Sequence, residues 1–239
     1  MCDHALPSAS RRQLLFAGAA SLTLAGIASR EASAAEPADA NAPNAIAPGE
    51  ALQRLLDGNA RYMANAPSNK DYSAGRAARV SAQYPIAAIV SCADSRVAPE
   101  LAFDQGPGDL FVVRVAGNFV NEDGLASLEY GVRFLHVPLI MVLGHTNCGA
   151  VSATVDAIQK NVVLPGHLPD LVRSIKPAVA IAQLHGEADL KERATGENVR
   201  LNVNRLSVSK PIIGLSVKEG KVKVVGGVYD LATGKVNLL

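Results

Sequence analysis

A single α/β domain built on a mostly parallel sheet is the fold that this sequence predicts. Three observations carry the prediction. Aliphatic runs of strand length recur at 85–91, 110–116, 138–144 and 221–230. Segments with apolar residues at helical spacing separate them. The runs are apolar at nearly every position, the pattern of strands covered on both faces.

Taken in order, Leu52, Leu55, Leu56 and Met63 mark a helix from Pro48 to about Ala64. "PIAAIVS" (85–91) reads as a buried strand, and "PELAFDQ" (99–105) as one or two helical turns. "LFVVRVA" (110–116) is a second strand. "DGLASLEYGVRFL" (123–135) places Leu125, Leu128, Val132 and Leu135 on one helical face. "PLIMVLG" (138–144) is a third strand and "AVSATVDAIQ" (150–159) a helix. Two helical segments follow, about 168–184 and 188–208. "KVKVVGGVYD" (221–230) is a fourth strand, and "KVNLL" a short fifth after the Ala232-Thr233-Gly234 turn. No internal repeat occurs, and no linker divides 48–239.

Hydrophobic residues make up 49% of the 239 positions while aromatics make up 4% and Trp is absent. The core must therefore be mostly Val, Ile, Leu and Ala. A formal charge of +1 with no block of like charge argues against a nucleic-acid surface or a polybasic membrane patch. A small-molecule partner is expected.

The first 34 residues read as an export signal. Arg11-Arg12 precede an apolar run from Leu14 to about Ala28, and Ala32-Ser33-Ala34 offers a cleavage site. The paired arginines resemble the twin-arginine pattern. The run is short of the roughly 20 residues of a membrane span; an uncleaved anchor is the alternative. Residues 35–47, rich in Ala, Pro and Asn, read as a flexible leader, and the domain as 48–239. A periplasmic or secreted location is expected.

With Cys2 in the signal, the mature chain keeps Cys92 and Cys148. In an oxidising compartment this pair invites a disulfide. Its surroundings favour a metal. His145-Thr146-Asn147-Cys148 places two candidate ligands on one tight turn, and Cys92 can supply a third. Asp94 is either a fourth ligand or the neighbour of a bound water, and Arg96 can hold it by a bidentate contact. Three ligands with an open position mark a catalytic zinc; four mark a structural one. Cys92 and His145 both follow strands, where open α/β sheets bind ligands. Their meeting requires the first and third strands to be neighbours. His136, His167 and His185 have no such company. No G-x-G-x-x-G occurs, which removes a dinucleotide dehydrogenase.

"CADSRV" (92–97) with "GHTNCGA" (144–150) resembles the β-class carbonic anhydrases, whose signatures are Cys-x-Asp-Ser-Arg and His-x-x-Cys-Gly. The likeness runs from about Ala51 to Tyr229 and includes "FDQGPGDLFVVRVAGN", "SLEYGV" and "VPLIMVLGH". It implies a four-stranded parallel sheet with one added antiparallel strand, flanked by helices. It implies one zinc ion per chain on Cys92, His145 and Cys148, and reversible hydration of carbon dioxide to bicarbonate. Asp94 and Arg96 match the family's dyad, with Asp94 a fourth ligand in a closed state only. Gln83 matches a substrate-cleft glutamine, and Gly149 lies near the cleft. Active sites at a dimer interface imply a homodimer or homotetramer. A regulatory bicarbonate pocket of some relatives matches at Arg114 and Tyr229, but its Trp position is Ile89 here. Hydrolysis of carbonyl sulfide or carbon disulfide on the same scaffold is the alternative chemistry. A non-enzymatic secreted protein with structural zinc or a disulfide is the alternative class.

Overall fold

The computed structural model describes residues 39, 41–68, 71–73, 75–186 and 188–239. The export signal, 1–34, lies outside the described residues. In chain order the elements are α1 (Pro48–Met63), α2 (Ala78–Ser81), β1 (Ala87–Cys92), α3 (Pro99–Ala102), β2 (Leu110–Val115), α4 (Glu122–Phe134), β3 (Leu139–His145), α5 (Gly149–Gln159), α6 (Leu168–Gln183), α7 (Leu190–Val208), α8 (Ile213–Lys218), β4 (Lys223–Tyr229) and β5 (Val236–Leu238).

The strands form one sheet in the order β2-β1-β3-β4-β5, parallel except for β5, which runs antiparallel to β4. β1 and β3 are buried at every position, as their unbroken aliphatic sequences predict. They are neighbours, with Ala88 opposite Ile140 and Ser91 opposite Leu143.

Period-two alternation divides their side chains between two cores. Ala87, Ile89, Leu139, Met141 and Leu143 pack with Ala51 and Leu55 of α1. Ala88, Val90, Ile140 and Val142 pack with Leu128 and Val132 of α4 and with Val199 and Leu206 of α7. A third cluster, at the carboxyl ends of the strands, joins Cys92 and Cys148 to Val151, Val155, Ile175, Val179 and Leu190.

The helix ends follow their sequences. Pro48 opens α1 where its missing N–H costs nothing. Asn121 caps α4 by accepting from Gly124 N–H at 2.9 Å, with Glu122 and Asp123 in the first turn favoured by the helix dipole. α6 runs through Pro177, which removes one backbone donor without ending the helix. The short α2 and α8 go beyond the sequence reading.

One expectation needs correction. The leader is not free over 41–47. Asn44 is 3% exposed and donates to Pro85 O at 3.2 Å and Leu135 O at 2.7 Å, while Ile46 packs against the α1 core. An Ala/Pro/Asn-rich composition hides one amide that satisfies two carbonyls at the amino end of the sheet.

α7 lies close against β3 and β4 because both strands present glycine to it. A Cβ at Gly226 would sit 2.6 Å from Val199 Cγ1, and one at Gly144 2.8 Å from Val199 Cγ2. Valine in a helix has essentially one rotamer and cannot swing aside. Gly226→Ala is therefore expected to cost about 1–3 kcal/mol by overpacking, read as a lower urea midpoint. Gly49→Ala, whose methyl would meet nothing within 4 Å, should leave the midpoint unchanged or raised.

Candidate metal centre

β1 ends at Cys92 and β3 at His145. Because the two strands are adjacent and parallel, both residues emerge at the same edge of the sheet. After His145 the chain turns through Asn147, whose φ of +53° is a left-handed conformation that asparagine tolerates. Cys148 then stands at the start of α5. The ligand atoms of Cys92, His145 and Cys148 all lie within 4.8 Å of one another, and all three residues are buried.

Neighbouring groups orient the donors. His145 Nδ1 lies 2.9 Å from Thr146 O, so Nδ1 carries the proton and donates it to that carbonyl. Nε2 is left with its lone pair toward the two sulfurs, buried and without a hydrogen-bond partner. Gly117 N–H donates to Cys92 Sγ at 3.2 Å. The Cys148 thiol bonds to Cys92, and with the imidazole and the Gly117 N–H this draws Cys92 down to about 4 despite its burial. Cys148 moves up, because Cys92 shares its proton and because it is buried; the N–H groups of Val151 and Ala150 oppose the shift. Burial works against a charged His145, but the nearness and charge of the Cys92 sulfur outweigh it and raise the group.

A buried sulfur carrying charge, a second thiol and an unpartnered imidazole nitrogen fit a bound divalent cation. No disulfide joins the cysteines, which are free thiols. The oxidised reading of this pair is corrected accordingly.

Asp94 stands at the rim, its Oδ2 3.8 Å from His145 Nε2. Arg96 grips it through Nε to Oδ1 at 2.9 Å and NH2 to Oδ2 at 2.7 Å, and the Arg96 backbone N–H adds a third contact at 3.0 Å. The guanidinium also reaches Asn147 O at 3.3 Å, tying the pair to the His145–Cys148 turn. These bonds hold the Asp94 carboxyl well below the usual carboxylate range. Asp94 and Arg96 are therefore ion-paired, with Asp94 facing the donors and outside the three-donor cluster.

Other expected residues fall elsewhere. Gly149 is exposed at the first position of α5, beside Cys148. Gln83 is exposed ahead of β1, at the opposite end of that strand from Cys92. Five residue steps of β1 alone span roughly 17 Å, so one chain does not bring Gln83 to the donors. Arg114 donates to Cys92 O, Asp94 O and Val97 O at 2.8–2.9 Å, and so clamps the loop that carries the dyad. Tyr229 pairs with His145 in the sheet, and its hydroxyl lies 3.1 Å from that of Tyr62. Burial first, and then Tyr62, push Tyr229 up to about 12. β1 and β3 separate the strands of Arg114 and Tyr229. Ile89, at the Trp position of the regulatory pocket, is fully buried in the α1 core. The structure thus gives Arg114 and Tyr229 separate partners.

Two contacts escaped sequence reading. Gly117 follows β2 with φ +85°, where a Cβ would meet Ile175 Cδ1 at 2.6 Å. The signal was a Gly-Asn pair at a strand end. Thr146 Oγ1 accepts from Leu231 N–H at 3.0 Å, and Thr146 N–H donates to Tyr229 O, anchoring the metal turn to the end of β4. No local pattern marks Thr146.

Comparison with known proteins identifies the family. The carbonic anhydrase family profile matches residues 87–236. A carbonic anhydrase of Mycolicibacterium smegmatis is 40% identical over 192 residues, covering 80% of this chain and 93% of that protein. Carbonic anhydrase 2 of Mycobacterium tuberculosis is 39% identical over 196 residues, covering 80% and 92%. Among solved structures, the Coccomyxa β-carbonic anhydrase bound to acetazolamide aligns with a TM-score of 0.62 at 30% identity, over 79% of this chain and 86% of that one. The β-carbonic anhydrase CcaA aligns with a TM-score of 0.62 at 27% identity, over 80% and 92%. The chain belongs to the β-class carbonic anhydrases.

Arg96→Met should let Asp94 return toward its ordinary value of about 3.9. The sign follows from the depressed carboxyl. In the parent the contribution of Asp94 to stability is present above about pH 4 and is lost only below it, as pH falls through the folded value. In the variant that contribution is absent. Carboxyl NMR titration checks this, and an unchanged Asp94 midpoint in the variant would contradict the assignment.

Proposed function

We propose that this carbonic anhydrase is a zinc enzyme in which Cys92, His145 and Cys148 hold the metal and Asp94 with Arg96 orients the attacking water. The observation that supports the reading best is the buried three-donor cluster beside an ion-paired carboxylate. Two sulfurs and one imidazole nitrogen suit tetrahedral zinc with one position left over. When bound, zinc supplies the Lewis acidity that makes hydroxide available from water near neutral pH.

The protein's part is orientation and proton handling. Asp94, kept ionised by Arg96, accepts a hydrogen bond from the nucleophilic water and turns its lone pair toward the carbon of the substrate. Arg96 keeps both carboxylate oxygens engaged, so the carboxylate stays an acceptor and leaves the metal position open at neutral pH. Gly149 opens α5, where the first N–H groups have no acceptor within the helix, and offers a backbone donor to the forming bicarbonate. His145 Nδ1–H stays on Thr146 O, which fixes the tautomer through the cycle.

Cys92→Ser should lose zinc, measured as metal per chain, together with carbon dioxide hydration. Asp94→Asn should keep zinc and lose about 10²-fold or more in kcat/KM, the range of one positioned proton acceptor. Hydration at the parent rate by the metal-free Cys92→Ser protein would sink the reading.

The active assembly is proposed to be a homodimer or homotetramer. β2 is an edge strand, and Tyr84, Tyr130 and Phe134 are each about half exposed, with Tyr130 stacked between Phe111 and Phe134. Gln83, remote from its own chain's donors, would then serve a second copy. The arginine pair and the Ala32–Ala34 site support export to the periplasm. Protein recovered from the periplasmic fraction should begin at about Ala35 and sediment as a dimer or tetramer. A monomer, or a chain kept in the cytoplasm with residues 1–34 intact, would contradict these assignments.

A further inference from the structure

The metal-side sulfur of Cys92 takes its backbone hydrogen bond from Gly117, and Gly117 is held from outside the sheet. Asn198 of α7, 1% exposed, donates through Nδ2 to Gly117 O at 2.8 Å. One helical turn on, Asn202 Oδ1 accepts from Val120 N–H at 2.8 Å, and its Nδ2 donates to Asn198 O at 2.8 Å. Arg205 continues the same face of α7 by donating to Val120 O and to Glu122. A polar stripe on α7 therefore grips the loop after β2 at both ends of Gly117–Val120.

The local backbone holds the turn by one bond, Asn118 N–H to Val115 O at 3.0 Å, and leaves the Gly117 carbonyl to Asn198. The Gly117 φ of +85° is reachable because glycine lacks a Cβ, and the same freedom leaves the peptide able to turn. The Gly117 carbonyl is fixed by Asn198, and the Gly117 N–H is aimed at Cys92 Sγ at 3.2 Å. Removing the Asn198 donor leaves a buried carbonyl unpaired, which favours a displaced Gly117. The adjacent peptide, which carries the Gly117 N–H, pivots on the same Cα, so the displacement draws that N–H off the sulfur.

We propose that Asn198 is a positioning residue of the metal centre, acting through Gly117 to set how much negative charge the Cys92 sulfur gives to the ion. This rests on Cys92 being a metal ligand. A hydrogen bond to a ligating thiolate disperses its charge and fixes the direction in which the sulfur points. It holds the sulfur in the form that binds metal, and outer partners of this kind are worth 10–100-fold in metal affinity. Asn198 touches neither substrate nor metal. Its effect reaches the centre through one residue, Gly117, across its two adjoining peptide groups.

The test uses Asn198→Leu, which keeps the branching at Cγ and removes the donor. Zinc affinity is read by chelator competition, and the thiolate-to-metal charge-transfer bands are read after cobalt substitution. Asn59→Ala is the structural control: Asn59 is also buried and holds Ala102 O, Gly234 O and Val236 N–H, away from the donors. Asn198→Leu should weaken zinc about 10–100-fold and shift the cobalt bands. Asn59→Ala should lower the unfolding midpoint and leave both readouts at parent values. Parent-like affinity and bands in Asn198→Leu, or an equal shift in Asn59→Ala, would overturn the proposal. Should Asn198→Leu fail to fold, Asn198→Ser, too short to reach Gly117 O, is judged by the same two readouts. A parent that binds no cobalt, or a Cys92→Ser protein that keeps the parent's bands, would instead refute Cys92 as a ligand.

Discussion

The parallel pairing of β1 with β3 is the constraint from which the centre follows. Ser91 lies opposite Leu143 in that ladder, so Cys92 and His145 leave the sheet side by side at its carboxyl edge. A slip of one residue would turn either side chain to the other face. The register is protected because both faces of both strands are buried: a slip would exchange the residues packed on α1 with those packed on α4 and α7. The same hydrophobic force that builds the two cores thus places a sulfur and an imidazole within reach of one ion. Cys148 needs only the short turn after His145 to join them.

Gathering two sulfurs, an imidazole and a carboxylate at one edge concentrates negative charge in a poorly solvated place. The structure answers with backbone groups first. Gly117 N–H meets Cys92, and the opening N–H groups of α5 meet Cys148. Arg96, a side-chain cation beside the donors, pairs with Asp94, which keeps the sulfurs available to a metal. Arg114 fixes three carbonyls of the loop below. Dipoles thus stabilise the donors, and full charge is directed to the carboxylate beside them.

Much of the fold was legible because its signals are local. Unbroken aliphatic runs identified β1 and β3, and the apolar stripe of 123–135 identified α4. The donors Cys92, His145 and Cys148, with Asp94 and Arg96, were legible because each lies within a few residues of a strand end. Less visible was what depends on distant partners. The docking of 41–47 rests on Asn44 reaching carbonyls 41 and 91 positions away. The close seat of α7 rests on glycines in two separate strands. The hold on Gly117 comes from a helix 81 positions later.

The sequence by itself determined the kinds of donor, their placement at strand ends and the alternation that makes a buried parallel sheet, since residue chemistry and short-range periodicity carry that information. Only the tertiary structure decided that β1 and β3 adjoin, that Gln83 lies at the far end of its own strand, and that Arg114 and Tyr229 have separate partners. Strand order and the targets of long side chains are settled by packing between segments remote in the chain. No local pattern encodes them.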